Sequence, residues 1–250
     1  MSIWTAVKDK VAPGYLNNHL LRIVESQEQI ATNSLVDNLE KQAALEEMLD
    51  SSKPPTPSIN GALHYLLATP FRYPPLPYGS RFGAKHEPSM LYGSLTEETA
   101  FAETGYYRFL FWSGMSTPPP SDKLITQHTI FSIQYTTNTG LKLQNVPFSD
   151  YRDQLLNPIS YEDTQSLGHA MREHGIDAFE YLSARDCNHG INAALFNVSA
   201  LAVIAPKNQR QWICETTDAT VRFYSVADKT GYCYPLDTYL VKGVFPDPAV

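Results

Sequence analysis

Arg72 to Trp112, RYPPLPYGSRFGAKHEPSMLYGSLTEETAFAETGYYRFLFW, gathers two arginines in turn-rich sequence, a strand-like MLYG and a helix into about forty residues. Ser94-Leu95-Thr96-Glu97 has the S-x-x-E spacing of a capping box, which predicts a helix start. Glu97 and Glu98 then fall in its first turn, where the helix dipole favours negative charge. Glu103 is out of place. It shares a stripe with Ala100, Tyr107 and Phe111, at spacings of 3, 4 and 4, that is expected to face inward. A carboxylate on an apolar face is costly unless it is paired or used. Either it forms a buried Glu–Arg pair with Arg81 or Arg72, or it is presented into a cleft where those arginines bind an anion.

Tyr78-Gly79-Ser80-Arg81-Phe82-Gly83 is a glycine-bracketed turn that fits neither a Walker loop nor a GxGxxG fingerprint. It suits rigid presentation of Arg81, whose fork matches phosphate oxygens better than a lysine does. Tyr92 ends a short predicted strand just before the helix, where its ring can line the same cleft. Each residue alone is more often core or surface. Their convergence points to one wall of a site for an anionic, ribose-containing substrate.

Outward from this stretch, residues 14–50 read as helical. Leu35, Leu39, Ala43 and the Leu45/Met48/Leu49 group recur at helical spacing, and Asn33-Ser34 is the start signal. These helices either pack on their own domain or form an arm that contacts a partner. The proline-rich SSKPPTPS that follows breaks the helix and predicts an extended connector. Beyond Gly61, HYLLAT, MLYG, HTIFSIQYTT and LKLQNV read as strands. SYEDTQSLGHAMREHG reads as a helix stopped by Gly175. AFEYLS, NAALFNVSALAVIA, TVRFYSV and YCYPLDTYLVKGV supply further strand pieces. Runs of strands with a few helices predict an α+β fold, with a helical extension and linker over 1–60 and the main mixed domain over 61–250.

With 43% apolar and 12% aromatic residues in 250, the chain has enough material for a core. A formal charge of −7 argues against direct nucleic-acid binding but not against a local anion site. No secretory h-region or membrane-length apolar run is present, and three widely spaced cysteines suit a reducing compartment, so a cytoplasmic location is expected. His169 and His174 lie five apart and Cys187-x-His189 is isolated. Neither has a zinc spacing, so no metal is expected.

Arg81-Phe82-Gly83, eleven residues to Tyr92 in L-Y-G-S and eleven more to Glu103 in A-F-A-E resemble the RES domain. This is a family of toxins from bacterial toxin–antitoxin pairs, named for its Arg, Glu and Ser. Tyr181-Leu182-Ser183-Ala184-Arg185 is similar to the family's P-S-x-R-like segment. Gly190-Ile191-Asn192-Ala193-Ala194-Leu195-Phe196 is similar to its G-x-N-x-x-L-F strand, and Arg72 to its early arginine. The resemblance covers about residues 62–205. Leu182 replaces the usual proline and Phe82 stands where many members have tryptophan. The N-terminal segment and the tail after about residue 206 lie outside the family's compact core.

The resemblance implies an ADP-ribosyltransferase-like mixed β core and NAD+ as substrate. Inorganic phosphate is the co-substrate of a phosphorolysis, with no other cofactor. Hydrolysis of NAD+ and ADP-ribosyl transfer to a protein are the alternatives, and a module that binds without turnover is a third. It assigns Arg81, Tyr92, Glu103 and Ser183 to catalysis, and Arg72, Arg185 and Asn192 to substrate binding. The implied partner is an Xre-type antitoxin, with no membrane contact and room for a homo-oligomer.

Overall fold

The computed structural model describes residues 2–26, 38–54 and 63–247. A short helix α1 (Ile3–Val7), capped by Ser2, precedes the strand β1 (Gly14–Glu25) and the helices α2 (Leu39–Ser52) and α3 (Tyr65–Arg72). Strand β2 (Leu91–Ser94) leads into the helix α4 (Glu97–Ser113), and the long strand β3 (Leu124–Lys142) follows. The helices α5 (Arg152–Leu155) and α6 (Glu162–Glu173) then precede β4 (Ala178–Leu182) and β5 (Ile191–Leu195). An antiparallel run of β6 (Lys207–Thr216), β7 (Thr220–Ser225) and β8 (Thr230–Pro235) follows, and a single 3-10 turn, Leu236–Tyr239, comes after it.

The expected α+β class is what the chain adopts. Among the described residues eight strands are ordered β1-β2-β5-β4-β3-β6-β7-β8, and β1 also pairs with β3. The first five therefore close into a ring, while β6, β7 and β8 continue outward from β3. The only parallel pair among them is β3–β4. Inside the ring pack Leu16, Leu20, Phe131, Ile133, Tyr135, Ala193 and Leu195. A second cluster, with Phe82, Leu167, Met171 and Phe179, lies under α6; a third, with Phe101, Phe109, Trp212 and Phe223, lies under α4.

Residues 14–25 correct the helical reading. They form β1, antiparallel to β3 from Gly14 opposite Gly140 to Glu25 opposite His128. Leu16 and Leu20 are four apart, a spacing that mimics a helix, but along a strand i and i+4 also share a face. The other face of β1 presents Leu21 and Ile23 to the cluster under α4. Both faces are covered, so the alternation that marks a one-sided strand is lost. The helical reading holds for α2, which begins inside the predicted LVDNLEKQAALEEMLD and runs two residues past it to Ser52; its Asn33-Ser34 start and the linker after Pro54 lie outside the described residues.

HYLLAT is likewise helical. His64 accepts the amide of Leu66 through its ring and starts α3, which buries Leu67 and Ala68. The Ser94 capping box does not form. Thr96 caps α4 by accepting the amide of Thr99 at 3.3 Å, while Ser94 is the last residue of β2 and bonds Asn192 instead. HTIFSIQYTT and the start of LKLQNV merge into the single strand β3, and β6 was not expected.

Candidate active site

Alternation along β2, β4 and β5 builds the floor of a cleft. Opposite the ring interior, β2 offers Tyr92 and Ser94, β5 offers Asn192, and β4 offers Tyr181, with Asn192 in register with both Ser94 and Tyr181. Ala100, Glu103, Thr104 and Tyr107, one face of α4, form a wall. Arg22 and Ile23 of β1, Ser80 and Arg81 of the turn between α3 and β2, and Tyr161 complete the enclosure of about 280 Å³.

Among the described residues Glu103 is not half of a buried ion pair. Its Oε1 accepts hydrogen bonds from the Ser183 hydroxyl and from the Asn192 side-chain amide, both at 2.6 Å. Asn192 is itself fixed, since its carbonyl oxygen accepts the Ser94 hydroxyl at 2.7 Å. Both bonds land on one oxygen, which leaves Oε2 for the cleft. The stripe of Ala100, Glu103, Tyr107 and Phe111 thus borders the cleft and its rim instead of the core: Tyr107 is 49% and Phe111 55% exposed.

Two guanidinium groups face this carboxylate's cleft. Arg81 is buried; its Nη1 donates to the carbonyls of Leu155 (3.3 Å) and Asn157 (3.1 Å), and its head lies 4.7 Å over the Tyr161 ring. Arg22 donates through Nη1 to the Tyr92 carbonyl at 2.7 Å. Burial pushes its guanidinium down to about 10, which leaves it charged at neutral pH. Arg81 Nη2 and Arg22 Nε are buried without a hydrogen-bond partner among the described residues. Buried donors of this kind are normally satisfied, so each has capacity for an acceptor oxygen.

Tyr92 holds the Arg81 turn. Its hydroxyl shares a hydrogen bond with Ser80 at 2.9 Å and accepts the Phe82 amide at 3.1 Å. Burial raises it to about 12, so it stays a neutral phenol. From behind, α6 seats against the same turn at Gly168, where a Cβ would lie 1.8 Å from the Phe82 carbonyl oxygen. No residue but glycine fits there.

Of the residues singled out in sequence, Arg81, Tyr92, Glu103 and Asn192 line the cleft. Ser183 is fully buried behind it: besides bonding Glu103, its hydroxyl accepts the amides of Arg185 (3.1 Å) and Asp186 (2.9 Å). Arg185 is also withdrawn, donating to the Pro158 carbonyl at 3.0 Å and the Tyr161 hydroxyl at 3.3 Å, with its guanidinium 3.6 Å over the Tyr106 ring. Arg72 does not line the cleft; it donates to the Pro54 carbonyl from the last turn of α3. Arg22, Thr104 and Tyr161 were missed. The signal for Arg22 was a lone cation inside the apolar run LLRIV, hidden because that run was read as helix. Among the described residues no group of three or more His, Cys, Asp or Glu side chains is placed to share a metal, and no helix is long and apolar enough to cross a membrane.

The arrangement provides one fixed carboxylate oxygen and at least two unpartnered guanidinium donors in a single cleft. It suits a ligand with a developing positive charge at one end and anionic oxygens at the other.

A family model described as the RES domain matches residues 58–217. Among solved structures the chain is similar to one in the crystal structure of the M. tuberculosis MbcT–MbcA toxin–antitoxin complex. The identity is 8%, the TM-score 0.45, and the match covers 82% of this chain and 87% of that one. No curated protein matches.

Proposed function

The chain belongs to the RES-domain family, and from that premise we propose that it cleaves NAD+ as the toxin of a bacterial toxin–antitoxin pair. The reaction is a phosphorolysis that yields nicotinamide and ADP-ribose 1-phosphate, and an Xre-type antitoxin restrains it. The observation that carries this reading is the asymmetric bonding of Glu103, with Oε1 pinned and Oε2 open to a cleft that also holds Arg22 and Arg81.

In the proposed reaction the bond between ribose C1′ and the nicotinamide nitrogen breaks. Its electron pair leaves with the nicotinamide, which departs neutral, so no general acid is needed. Positive charge develops on the ribose, as in glycoside cleavage. Glu103 Oε2 stabilises that charge or holds a ribose hydroxyl, and because Ser183 and Asn192 already orient the carboxylate, little reorganisation accompanies the step. The free N–H groups of Arg81 and Arg22 bind the pyrophosphate or orient the incoming phosphate, one oxygen of which forms the new bond to C1′.

The test is to incubate the purified protein with NAD+, with and without inorganic phosphate, and follow nicotinamide and ADP-ribose 1-phosphate. Phosphate-dependent release of both is expected. Release without phosphate identifies a hydrolase, and label retained on protein identifies a transferase. No nicotinamide under any condition leaves only a binding module. In cells, induced expression is expected to lower NAD+ and arrest growth, with relief on co-expression of a neighbouring Xre-type gene.

A further inference from the structure

The family match ends at residue 217, yet the chain beyond it reaches back to α4 at several points. Tyr239, 4% exposed, donates its hydroxyl to the carbonyl of Ala102 at 2.8 Å, and Tyr234 donates to the carbonyl of Glu98 at 3.1 Å. The two acceptors are four residues apart, one turn of α4, and a carbonyl oxygen has a second lone pair beyond the one used in the helix. Tyr239 sits so close because position 105 is glycine: a Cβ there would lie 2.5 Å from the Tyr239 hydroxyl. Nearer the end, Pro246 accepts the hydroxyl of Tyr106 at 2.9 Å, and the Phe245 ring stacks on Tyr106 with centroids 5.2 Å apart.

These contacts surround Glu103. Ala102 is its neighbour in α4. Tyr106, one turn on, carries the Arg185 guanidinium 3.6 Å over its ring, and the Arg185 amide donates to the hydroxyl of Ser183 that bonds Glu103. The segment therefore bears directly on the helix that carries the carboxylate and, through Tyr106 and the Arg185 above it, on the loop that supplies one of its hydrogen bonds. We infer that residues 230–247 are a positioning clamp for Glu103, with Tyr239 as its central member. The clamp rests on the proposed catalytic role of Glu103 for its kinetic consequence, but not for its structural one. It sets the axial position and roll of α4 against the 183–186 loop. A positioned group 1 Å out of place can lose about a hundredfold in rate, so loss of one clamp bond is expected to lower kcat while leaving the arginine contacts that govern substrate binding.

The experiment uses the full chain with Tyr239→Phe, which keeps the ring and deletes the hydroxyl, and Tyr234→Phe as a second variant. Tyr224→Phe, at an exposed position of β7, is the control. Two readouts are taken. For Tyr239→Phe, NAD+ cleavage is expected to show kcat down about tenfold with KM within about twofold, and the loss is expected to shrink in a Ser183→Ala background. Amide hydrogen exchange in the absence of NAD+ is expected to speed up over residues 99–106 and 183–190, with β1 and β3 unchanged.

Unchanged kcat, or a raised KM at unchanged kcat, overturns the clamp. So does unaltered exchange in α4 in both variants. A wild-type protein inert toward NAD+ overturns the function proposed above. The exchange comparison still decides the clamp in that case, because it needs no substrate.

Discussion

The two faces of α4 are built by opposite rules. On its core face Phe101 is fully buried, with ring centroids 4.4 Å from Trp212, 4.5 Å from Tyr232 and 4.9 Å from Phe223. Its neighbours Tyr106 and Phe109 are equally enclosed. On its cleft face the same helix presents Glu103 to a space that also receives Arg22 and Arg81, yet the carboxylate bonds an amide and a hydroxyl and the arginines bond carbonyls. A face selected only for stability would join opposite charges or exclude them. Here the charges stay apart with donors in hand, and that separation is what a binding site requires. The difference teaches that the helix is anchored by one side so that the other can remain unsatisfied.

The largest effect that can break this comparison lies on the core face. Phe101→Ala removes a ring packed against three others and is expected to cost about 3–5 kcal/mol of stability. Urea or thermal denaturation reads it. A cost below about 1 kcal/mol would mean that this face relaxes and does not anchor the helix.

Next comes Glu103→Gln, isosteric and on the opposite face. Nicotinamide release is expected to fall about 10²–10³-fold, as for other fixed groups that meet transition-state charge, with stability within about 1 kcal/mol of the parent. A large loss of stability with retained turnover would invert the assignment of the two faces. A smaller effect is expected for Arg81→Lys, which keeps the charge but loses the planar fork. KM for NAD+ should rise about tenfold with kcat less affected, since one paired contact is worth about 1.4 kcal/mol. Arg22→Gln should act in the same direction. If neither variant moves KM, the unpartnered nitrogens are not ligand contacts.

Much of the cleft was legible in sequence because its residues are chemically out of place. Glu103 among apolar helix positions, Arg81 between glycines and Asn192 inside an apolar strand all stand out locally, and the dispersed R, Y, E and S spacings tie them together. What was not legible depends on pairing at long range. Arg72 and Arg22 are both isolated cations near apolar runs, but the pairing of β1 with β2 and β3 brings Arg22 to the Tyr92 carbonyl at the cleft, whereas Arg72 ends α3 and turns to Pro54. The same limit applies to Ser183, whose type fitted a substrate contact but whose burial makes it a support for Glu103. β6 escaped because its exposed half, with Lys207, Gln209 and Gln211, reads as polar loop, while the Trp212 and Cys214 that anchor it come only at its end.

The smallest predicted effect tests whether the core face is as settled as its packing implies. Beneath α4, His128 is 3% exposed, shares a 2.9 Å hydrogen bond with Thr126 through Nε2, and has Nδ1 without a partner among the described residues. Burial, and then the nearby Arg108 guanidinium, hold it down to about 4. In the unfolded chain a histidine titrates near 6.5. Between these two values the unfolded state binds a proton that the folded state refuses, so stability falls as pH drops from about 6.5 toward about 4 and levels off below that. From pH 7 to pH 5.5 the expected loss through this group is about 1 kcal/mol. Denaturation midpoints at the two pH values should therefore separate less in His128→Gln than in the parent. Equal separations would mean that water reaches the imidazole, and that the core face of α4 carries an opening of its own.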